Sequence, residues 1–96
     1  MNAQWFAVQS KPRQEGTAKV QLERQGYTAY LPMITVRKRK RAAWTASIEP
    51  LFPRYLFVQV DINEQSLAPV RSTMGVSGLV RFGAIVRPVP DAVVHY

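Results

Sequence analysis

The chain has 96 residues, enough for one domain with a modest core, and its lack of cysteine excludes disulfides and thiolate metal sites. The single histidine, His95, has no second ligand candidate beside it, so no metal and no other cofactor is expected. The 13 Lys and Arg residues outnumber the 6 Asp and Glu residues, and the net charge of +7 suits a polyanionic partner such as nucleic acid.

The first predicted elements are a short strand and a helix. Gln4–Gln9 is largely apolar and predicts a buried strand. Ser10 and Pro12 indicate a helix start, because serine caps free amides and proline is tolerated in the first turn. We therefore expect a helix from about Pro12 to Gln25, with Gly26 as its stop.

Charge spacing supports this helix. The pairs Glu15–Lys19 and Lys19–Glu23 are opposite charges at i,i+4, and each should add a few tenths of a kcal/mol. The apolar stripe is thin, with Ala18 and Leu22 on one face. The polar face offers donors suited to phosphates and base edges: Lys11, Arg13, Gln14, Thr17, Gln21, Arg24 and Gln25. From the residues alone it is either a solvated face or a nucleic-acid-binding one.

A basic hairpin follows. Tyr27–Val36 predicts a second strand, which Pro32 should place at a sheet edge or a bulge. Arg37–Arg41 is a run of five cations, and Trp44–Ile48 then alternates as a returning strand, so we expect the cations at a hairpin tip. Five adjacent charges cannot be buried without partners. They form either a mobile solubilising loop or a site of non-specific, salt-dependent phosphate attraction.

The organising strand is Leu51–Asp61, whose residues alternate between two faces. The aliphatic face consists of Leu56, Val58 and Val60, and the other of Tyr55, Phe57 and Gln59. Pro53 should stand at a sheet edge or among the first residues of the strand. The aromatic face is either buried under a second layer or exposed for a partner. Small domains often leave one face of a sheet uncovered, which favours the exposed strip.

The remaining chain predicts a second helix or helical turn over residues 62–73, capped by Asn63 and ended by Gly75. Its core-facing stripe should be Leu67, Val70 and Met74. Three polar residues cluster at its C-terminal end, Arg71, Ser72 and Thr73. Arg71 suits the helix dipole there, and the alternative places Arg71 and Thr73 beside the polar face of the first helix in one nucleic-acid-binding patch.

The last predicted elements are a strand Val76–Phe82, a turn at Gly83, an edge segment Ile85–Val89 and a final helix from Ala92 capped by Asp91. The order β-α-β-β-β-α-β-β-α predicts an α/β (α+β) fold, with an antiparallel or mixed sheet and helices packed on it.

Several function classes are excluded by what the sequence lacks. No apolar run approaches the roughly 20 residues of a membrane span, and no signal peptide is recognisable, so a soluble cytoplasmic protein without membrane contact is expected. The acids are scattered, and there is no Gly-rich phosphate loop or nucleophile with a base, so catalysis is not expected. The prominent residues are aromatic and cationic, which is typical of a recognition surface.

Five motifs occur in a fixed order along nearly the whole chain: Trp5-Phe6-Ala7-Val8, Leu31-Pro32, Phe52-Pro53-x-Tyr55-Leu56-Phe57-Val58, Val70-Arg71-Ser72-Thr73-x-Gly75-Val76 and Phe82-Gly83. Together they resemble the N-terminal (NGN) domain of NusG-type transcription elongation factors. The resemblance implies a central, mostly antiparallel four-stranded sheet of the split βαβ type, flanked by two to three helices, plus a basic β-hairpin.

Four segments are most similar to the specialised RfaH-like paralogues: Pro32-Met33-Ile34-Thr35, Glu49-Pro50-Leu51-Phe52-Pro53, Tyr55-Leu56-Phe57-Val58 and Val80-Arg81-Phe82-Gly83-Ala84. Arg54 stands where the housekeeping factor usually has glycine. Met74 stands where RfaH-like relatives often carry a second basic residue, which is a departure from their pattern.

The resemblance also implies a function, transcription elongation and antitermination through RNA polymerase. The implied contact with the clamp helices of the largest subunit consists of Leu51, Phe52, Pro53, Tyr55 and Phe57. Ser66 and Leu67 would reach the second-subunit side of the DNA cleft. The polar face of the first helix, Lys11 foremost, together with residues 71–73 would meet the non-template DNA strand. Such a bridge would hold the clamp closed and suppress pausing.

Residues 1–96 are expected to be the N-terminal domain of a longer monomeric protein, followed by a linker and a KOW-type β-barrel through which the ribosome is a further candidate partner. The main alternative is an RRM-like single-stranded nucleic-acid-binding module that stacks bases on the aromatic face. Stacking platforms usually have cations beside the rings, and alternation places Arg54 on the aliphatic side, which favours a protein partner. A third hypothesis is a basic structural subunit of a ribonucleoprotein, for which Arg37–Arg41 would be indispensable.

Overall fold

A computed structural model describes residues 3–81, 83 and 85–94. Within these residues it has six strands and three helices. In chain order they are β1 (Gln4–Ser10), α1 (Glu15–Arg24), β2 (Thr28–Tyr30), β3 (Met33–Lys40), β4 (Ala43–Pro50), β5 (Tyr55–Val60), α2 (Ala68–Arg71), β6 (Val76–Leu79) and α3 (Asp91–Val94).

Four strands form one sheet in the order β2-β5-β1-β6, and β3 and β4 form a separate two-stranded sheet. Every pair in the larger sheet is antiparallel, with Phe6 opposite Val58, Ala29 also opposite Val58, and Val8 opposite Leu79. The expected four-stranded antiparallel sheet with helices and a basic hairpin is therefore confirmed. Strand β5 lies in the interior of the sheet and begins at Tyr55, four residues later than the predicted start at Leu51, so Pro53 lies in the turn before the strand and not among its first residues.

The core forms where the aliphatic face of β5 meets α1. Leu56, Val58 and Val60 are fully buried, and so are Ala18 and Leu22 of the helix. Burial of each Leu or Val side chain contributes about 1.5–3 kcal/mol relative to exposure, so this face is the main apolar contribution to stability. The predicted alternation of β5 and the thin stripe of α1 are both confirmed.

Helix α1 begins at Glu15, three residues later than predicted. Arg13 has a left-handed backbone with a φ of 61°, which a helix starting at Pro12 cannot accommodate. Ser10 is not a cap, because it lies buried at the end of β1 and its hydroxyl donates to the carbonyl of Lys11 at 2.9 Å. The predicted stop is correct, since Gly26 follows the helix with a φ of 90°.

The predicted second strand is two strands, because Pro32 interrupts it. β2 lies at the edge of the large sheet, whereas β3 pairs with β4, and the carbonyl of Pro32 accepts the N–H of Leu51 at 2.8 Å. The basic run is not confined to the tip. Its first four residues lie within β3, and only Arg41 joins Ala42 in the turn, where both have positive φ.

The second predicted helix is reduced to the single turn of α2. Asn63 does not cap it, because its N–H donates to the Asp61 carboxylate at 3.0 Å in a preceding turn. The hydroxyl of Ser66 instead accepts the N–H of Ala68 at 3.1 Å. Val70 is buried as predicted, but Met74 is 68% exposed and does not belong to the core.

Beyond β6 the chain leads to the opposite face of the sheet, where Val89 and Val94 pack with Trp5 and Phe57. The predicted strand ends early, at Leu79, and its last residue, Phe82, lies outside the described residues. Gly83 is in a turn, as predicted. The segment Ile85–Val89 makes an isolated bridge from Val89 to Trp5 instead of a continuous strand, so the element order differs there from the prediction. α3 then begins at Asp91. No helix in the described ranges is long and apolar enough to span a membrane.

Two glycines give opposite predictions for stability. Gly75 has a φ of 88°, and a Cβ there would lie 3.0 Å from the backbone nitrogen of Ala18, so Gly75→Ala should lower the free energy of unfolding by about 1–2 kcal/mol or more. Gly16 lies in α1 with open space around it, so Gly16→Ala should raise this free energy by up to roughly 1 kcal/mol. Urea unfolding of the two variants measures both values, and a shift of the same sign in both would contradict this packing.

Candidate partner-binding surfaces

Three aromatic side chains predicted to face a partner surround one apolar cavity. Phe52, Tyr55 and Phe57 line it together with Ala7, Val80 and Val93, and it is a shallow depression, widely open to solvent, with a volume of about 300 Å³. The rings of Phe52 and Phe57 meet edge to face, with centroids 6.3 Å apart and an interplanar angle of 89°. We call this feature the aromatic cavity. Strand β5 supplies two of its rings and the turn before β5 supplies the third.

The aromatic face is neither fully exposed nor fully covered. Phe57 is only 5% exposed, because it packs with Trp5 and with Val94 of α3. Phe52 and Tyr55 are 40% and 39% exposed. Of the two alternatives for the aromatic face, burial under a second layer is therefore correct for Phe57, and exposure is correct for Phe52 and Tyr55. Phe57 forms the floor of the cavity and the exposed rings form its rim.

The other two residues of the predicted strip lie at its margin. Leu51 is half-buried and its backbone is bonded to Pro32. Pro53 is exposed and lines a second cavity of about 510 Å³ with Arg13, Glu15, Glu49 and Pro50. The structure thus brings Phe52, Tyr55 and Phe57 together around one cavity, while Pro53 faces the start of α1.

Arg54 joins the aromatic turn to α1. Its backbone is left-handed, with a φ of 71°, and its N–H donates to the buried carboxylate of Glu15 at 3.1 Å. Its Nε donates to the carbonyl of Ser10 at 3.4 Å, and its own carbonyl accepts the N–H of Ser10 at 2.8 Å. Arg54 lies in the turn before β5, so strand alternation does not extend to it, and its contact with Glu15 is with α1, the helix that covers the aliphatic face.

The role of Glu15 was not predicted. Of the two expected i,i+4 pairs, Lys19–Glu23 forms at 3.3 Å, whereas the Glu15 carboxylate is directed to Arg54. These partners are 39 residues apart, so helix spacing gave no signal for the contact. The sequence contained one indication that the backbone of Arg54 is left-handed. By the family resemblance, this residue stands where the housekeeping factor usually has glycine, which adopts that conformation readily.

The predicted DNA-binding residues lie on α1, on the loop before it and at the end of α2. Lys11, Arg13, Thr17 and Arg24 are exposed, as are Arg71 and Ser72. Gln14 and Gln21 are partly buried. The side-chain amide of Gln25 donates to the hydroxyl of Thr73 at 2.7 Å, which joins the two helices into one surface. Within this surface Thr73 is 6% exposed and donates to the carbonyl of Pro69 at 2.8 Å, so it supports its neighbours.

Ser66 and Leu67 lie beyond the opposite end of β5 from the aromatic cavity. The carbonyl of Ser66 accepts the hydroxyl of Tyr27 at 3.0 Å, and Leu67 is half-buried against the main core. From Tyr55 to Val60 the strand spans roughly 17 Å, and Ser66 and Leu67 follow beyond its end. Among the described residues no cluster of His, Cys, Asp or Glu could hold a metal ion; His95 lies outside them.

Comparison with known proteins identifies the family. The family model described as transcription termination factor NusG matches residues 3–96. The chain belongs to the NusG family. The transcription termination/antitermination protein NusG of Thermus thermophilus is 30% identical over 105 residues, which cover 94% of this chain and 56% of that protein.

A solved structure agrees with the fold of this NusG-family chain. The structure titled "Domain interaction in Thermotoga maritima NusG" superimposes with a TM-score of 0.64 and 26% identity, covering 94% of this chain and 52% of that one. The chain thus spans about half the length of these relatives. NusG-family proteins are transcription factors, which agrees with the expectation that the chain is not an enzyme.

The Glu15–Arg54 contact predicts a selective loss of stability. Glu15→Ala leaves the N–H of Arg54 without its acceptor and should lower the free energy of unfolding by about 1–3 kcal/mol. Glu15→Gln keeps an acceptor oxygen and should retain most of the stability. Thermal or urea unfolding compares the two variants, and equal losses would show that the hydrogen bond is not what Glu15 contributes.

Proposed function

We propose that residues 1–96 are the N-terminal domain of a NusG-type elongation and antitermination factor that binds RNA polymerase. Family membership and the aromatic cavity support this proposal. The coverage of its relatives is consistent with a longer protein, whose remaining part would be a KOW-type barrel able to recruit a ribosome.

The aromatic cavity carries the proposal of polymerase docking. Phe52 and Tyr55 form an exposed rim above the buried floor of Phe57, which is the arrangement that receives an apolar side chain from an amphipathic helix. Rigid aromatic anchors in a desolvated pocket supply most of the affinity in many interfaces. The clamp helices of the largest polymerase subunit are the proposed occupant, with Leu51 and Pro53 at the margin.

The chemistry of this cavity favours a protein over an unpaired base. Its lining residues among those described are aromatic or aliphatic, and none is a cation. Two cations are adjacent in sequence to lining residues, Arg54 before Tyr55 and Arg81 after Val80, but neither lines the cavity, and Arg54 is engaged with Ser10. A base-stacking site needs cations that follow the phosphates, so the RRM-like alternative lacks this support at the aromatic cavity.

The second part of the proposal concerns the non-template DNA strand. Exposed cations lie on or beside α1 and α2, namely Lys11, Arg13, Arg24 and Arg71, and the Gln25–Thr73 hydrogen bond joins the C-terminal end of α1 to the residues after α2. Such cations suit phosphates, and the neighbouring glutamines suit base edges.

Docking at two places would explain suppression of pausing. The aromatic cavity and the Ser66–Leu67 end lie at opposite ends of β5, so one domain could contact the clamp and the second-subunit side of the cleft. A factor that binds the closed clamp better than the open one shifts the population towards the active state.

We further propose that the chain is specialised in the way of the RfaH-like paralogues. The four segments similar to those paralogues and Arg54 support this proposal. The exposed Met74 is where this chain departs from that group.

The docking proposal predicts the effects of three substitutions on binding to purified core RNA polymerase. Phe52→Ala and Tyr55→Ala should each weaken binding by about 2 kcal/mol or more, roughly thirtyfold in Kd, because they remove exposed anchors. Trp44→Ala is the matched control, an exposed aromatic residue on the separate β3–β4 hairpin, and should change little. Binding unchanged in both aromatic variants would contradict the proposal.

Phe57→Ala is an unsuitable probe of docking. Removing a buried phenylalanine costs about 3–5 kcal/mol of stability, so any loss of binding would mix docking with unfolding. The exposed rings of the rim separate the two effects.

The DNA proposal predicts a change in salt dependence. Lys11→Gln should weaken binding to single-stranded DNA and reduce the slope of log K against log salt by about 0.7, the value for one lost phosphate contact. Arg87→Gln removes the same charge from the exposed segment between β6 and α3, outside the predicted DNA-binding residues, and should leave the slope unchanged. Fluorescence anisotropy over a salt series measures both, and equal slopes in the two variants would contradict a localised surface.

A further inference from the structure

The β3–β4 hairpin separates its arginines from its lysines. Side chains opposite one another in an antiparallel pair share a face, and the register therefore defines two faces. The first, which we call the arginine face, consists of Met33, Thr35, Arg37, Arg39, Trp44, Ala46, Ile48 and Pro50. The second, the lysine face, consists of Ile34, Val36, Lys38, Lys40, Ala43, Thr45, Ser47 and Glu49. An apparently uniform run of cations is thus two chemically different surfaces.

The arginine face is apolar as well as cationic. Trp44 is 63% exposed, Ile48 70% and Met33 47%, and Trp44 lies directly opposite Arg39. A solubilising loop has no use for an exposed tryptophan on a face that also exposes Ile48 and Met33, whereas a binding surface does.

The lysine face is partly neutralised. Lys38 pairs with Glu49 at 3.0 Å, and the Ser47 hydroxyl donates to the same carboxylate at 2.7 Å. The Ser47 hydroxyl and then Lys38 hold the pKa of the Glu49 carboxyl below its ordinary value. Negative charge on this face makes it the poorer surface for a polyanion.

We infer that the arginine face binds a single-stranded nucleic acid, with a base stacked on Trp44 and phosphates held by Arg37 and Arg39. Guanidinium groups are planar and bind phosphate through two parallel hydrogen bonds, and they also stack on bases. Tryptophan is a stacking platform for any base, since every base has a π-face. A duplex hides these base faces within its own stack, so the ring specifies an unpaired strand.

This surface differs from both proposed sites. It lies on the two-stranded sheet, whereas the aromatic cavity and the α1 surface belong to the four-stranded sheet and its helices. The inference therefore does not depend on polymerase docking.

The test uses tryptophan fluorescence of the chain. Of its two tryptophans, Trp5 is 6% exposed, so quenching by added poly(dT) or poly(U) reports Trp44. The key comparison is R37Q/R39Q against K38Q/K40Q. These double variants remove the same charge from opposite faces and keep both tryptophans. Circular dichroism verifies the fold of each variant.

The inference predicts quenching in the wild type and a loss of affinity of roughly tenfold or more in R37Q/R39Q, with a much smaller loss in K38Q/K40Q. Trp44→Ala, measured by anisotropy of a labelled strand, should also weaken binding by roughly tenfold. Tighter binding of poly(dT) or of poly(U) identifies DNA or RNA as the strand, and either supports the inference.

Equal losses of affinity in R37Q/R39Q and K38Q/K40Q would overturn the inference, since general attraction between the positive hairpin and the strand would then explain the binding. Binding of a duplex as tight as that of a single strand, or binding without quenching, would overturn it as well. Polymerase binding by R37Q/R39Q should equal that of the wild type, so failure here is distinguishable from failure of the docking proposal.

Discussion

The structure depends on the unequal covering of the two faces of β5. Its aliphatic face is closed by α1, where Leu56, Val58 and Val60 meet Ala18 and Leu22 without exposure. This contact fixes the register of the central strand, because a slip of one residue would turn the aliphatic set outward. The aromatic face receives a much smaller cover, in which Val94 of the short helix α3 packs on Trp5 and Phe57. The uncovered remainder of that face is the aromatic cavity, so one strand provides both the core and the proposed docking surface.

The Arg54 junction connects the cavity to α1. A left-handed residue between Pro53 and Tyr55 turns the chain sharply into β5, and the Glu15 carboxylate and the Ser10 backbone hold that turn. Phe52 is thereby brought back over Phe57, where the two rings meet edge to face. Because Glu15 is also the first residue of α1, the proposed polymerase and DNA surfaces are both connected to this junction. A substitution there would be expected to disturb both.

The sequence pattern correctly predicted those parts of the fold that depend on residues close to one another in the chain. The alternation of β5, the stop at Gly26 and the returning strand β4 are all set by residues near in sequence, and each was predicted. The errors occurred where distant partners decide. Ser10 resembles a helix cap but is bonded in β1 beside Arg54, and Met74 completes a helical stripe that the single turn of α2 cannot present to the core. For the site, sequence identified the rings but not which of them the chain covers, because Val94 and Val89 come from the far end of the chain. The division of the cations into two faces depends on the register of β3 against β4. It could not be inferred from the sequence, because the sequence pattern placed Arg37–Arg41 at the tip of the hairpin and not within a strand.

Oxidative footprinting of the chain bound to core RNA polymerase tests the central claim most directly, since hydroxyl radicals modify exposed aromatic side chains. Phe52 and Tyr55, each about 40% exposed in the free chain, should lose reactivity on binding. Trp44, at 63% exposure on the separate hairpin, should stay reactive when nucleic acid is absent and serves as the internal reference. Protection of Phe52 and Tyr55 with Trp44 unchanged would agree with docking through the aromatic cavity. Full reactivity of both rings in a chain that is demonstrably bound would place the polymerase contact elsewhere and contradict the account.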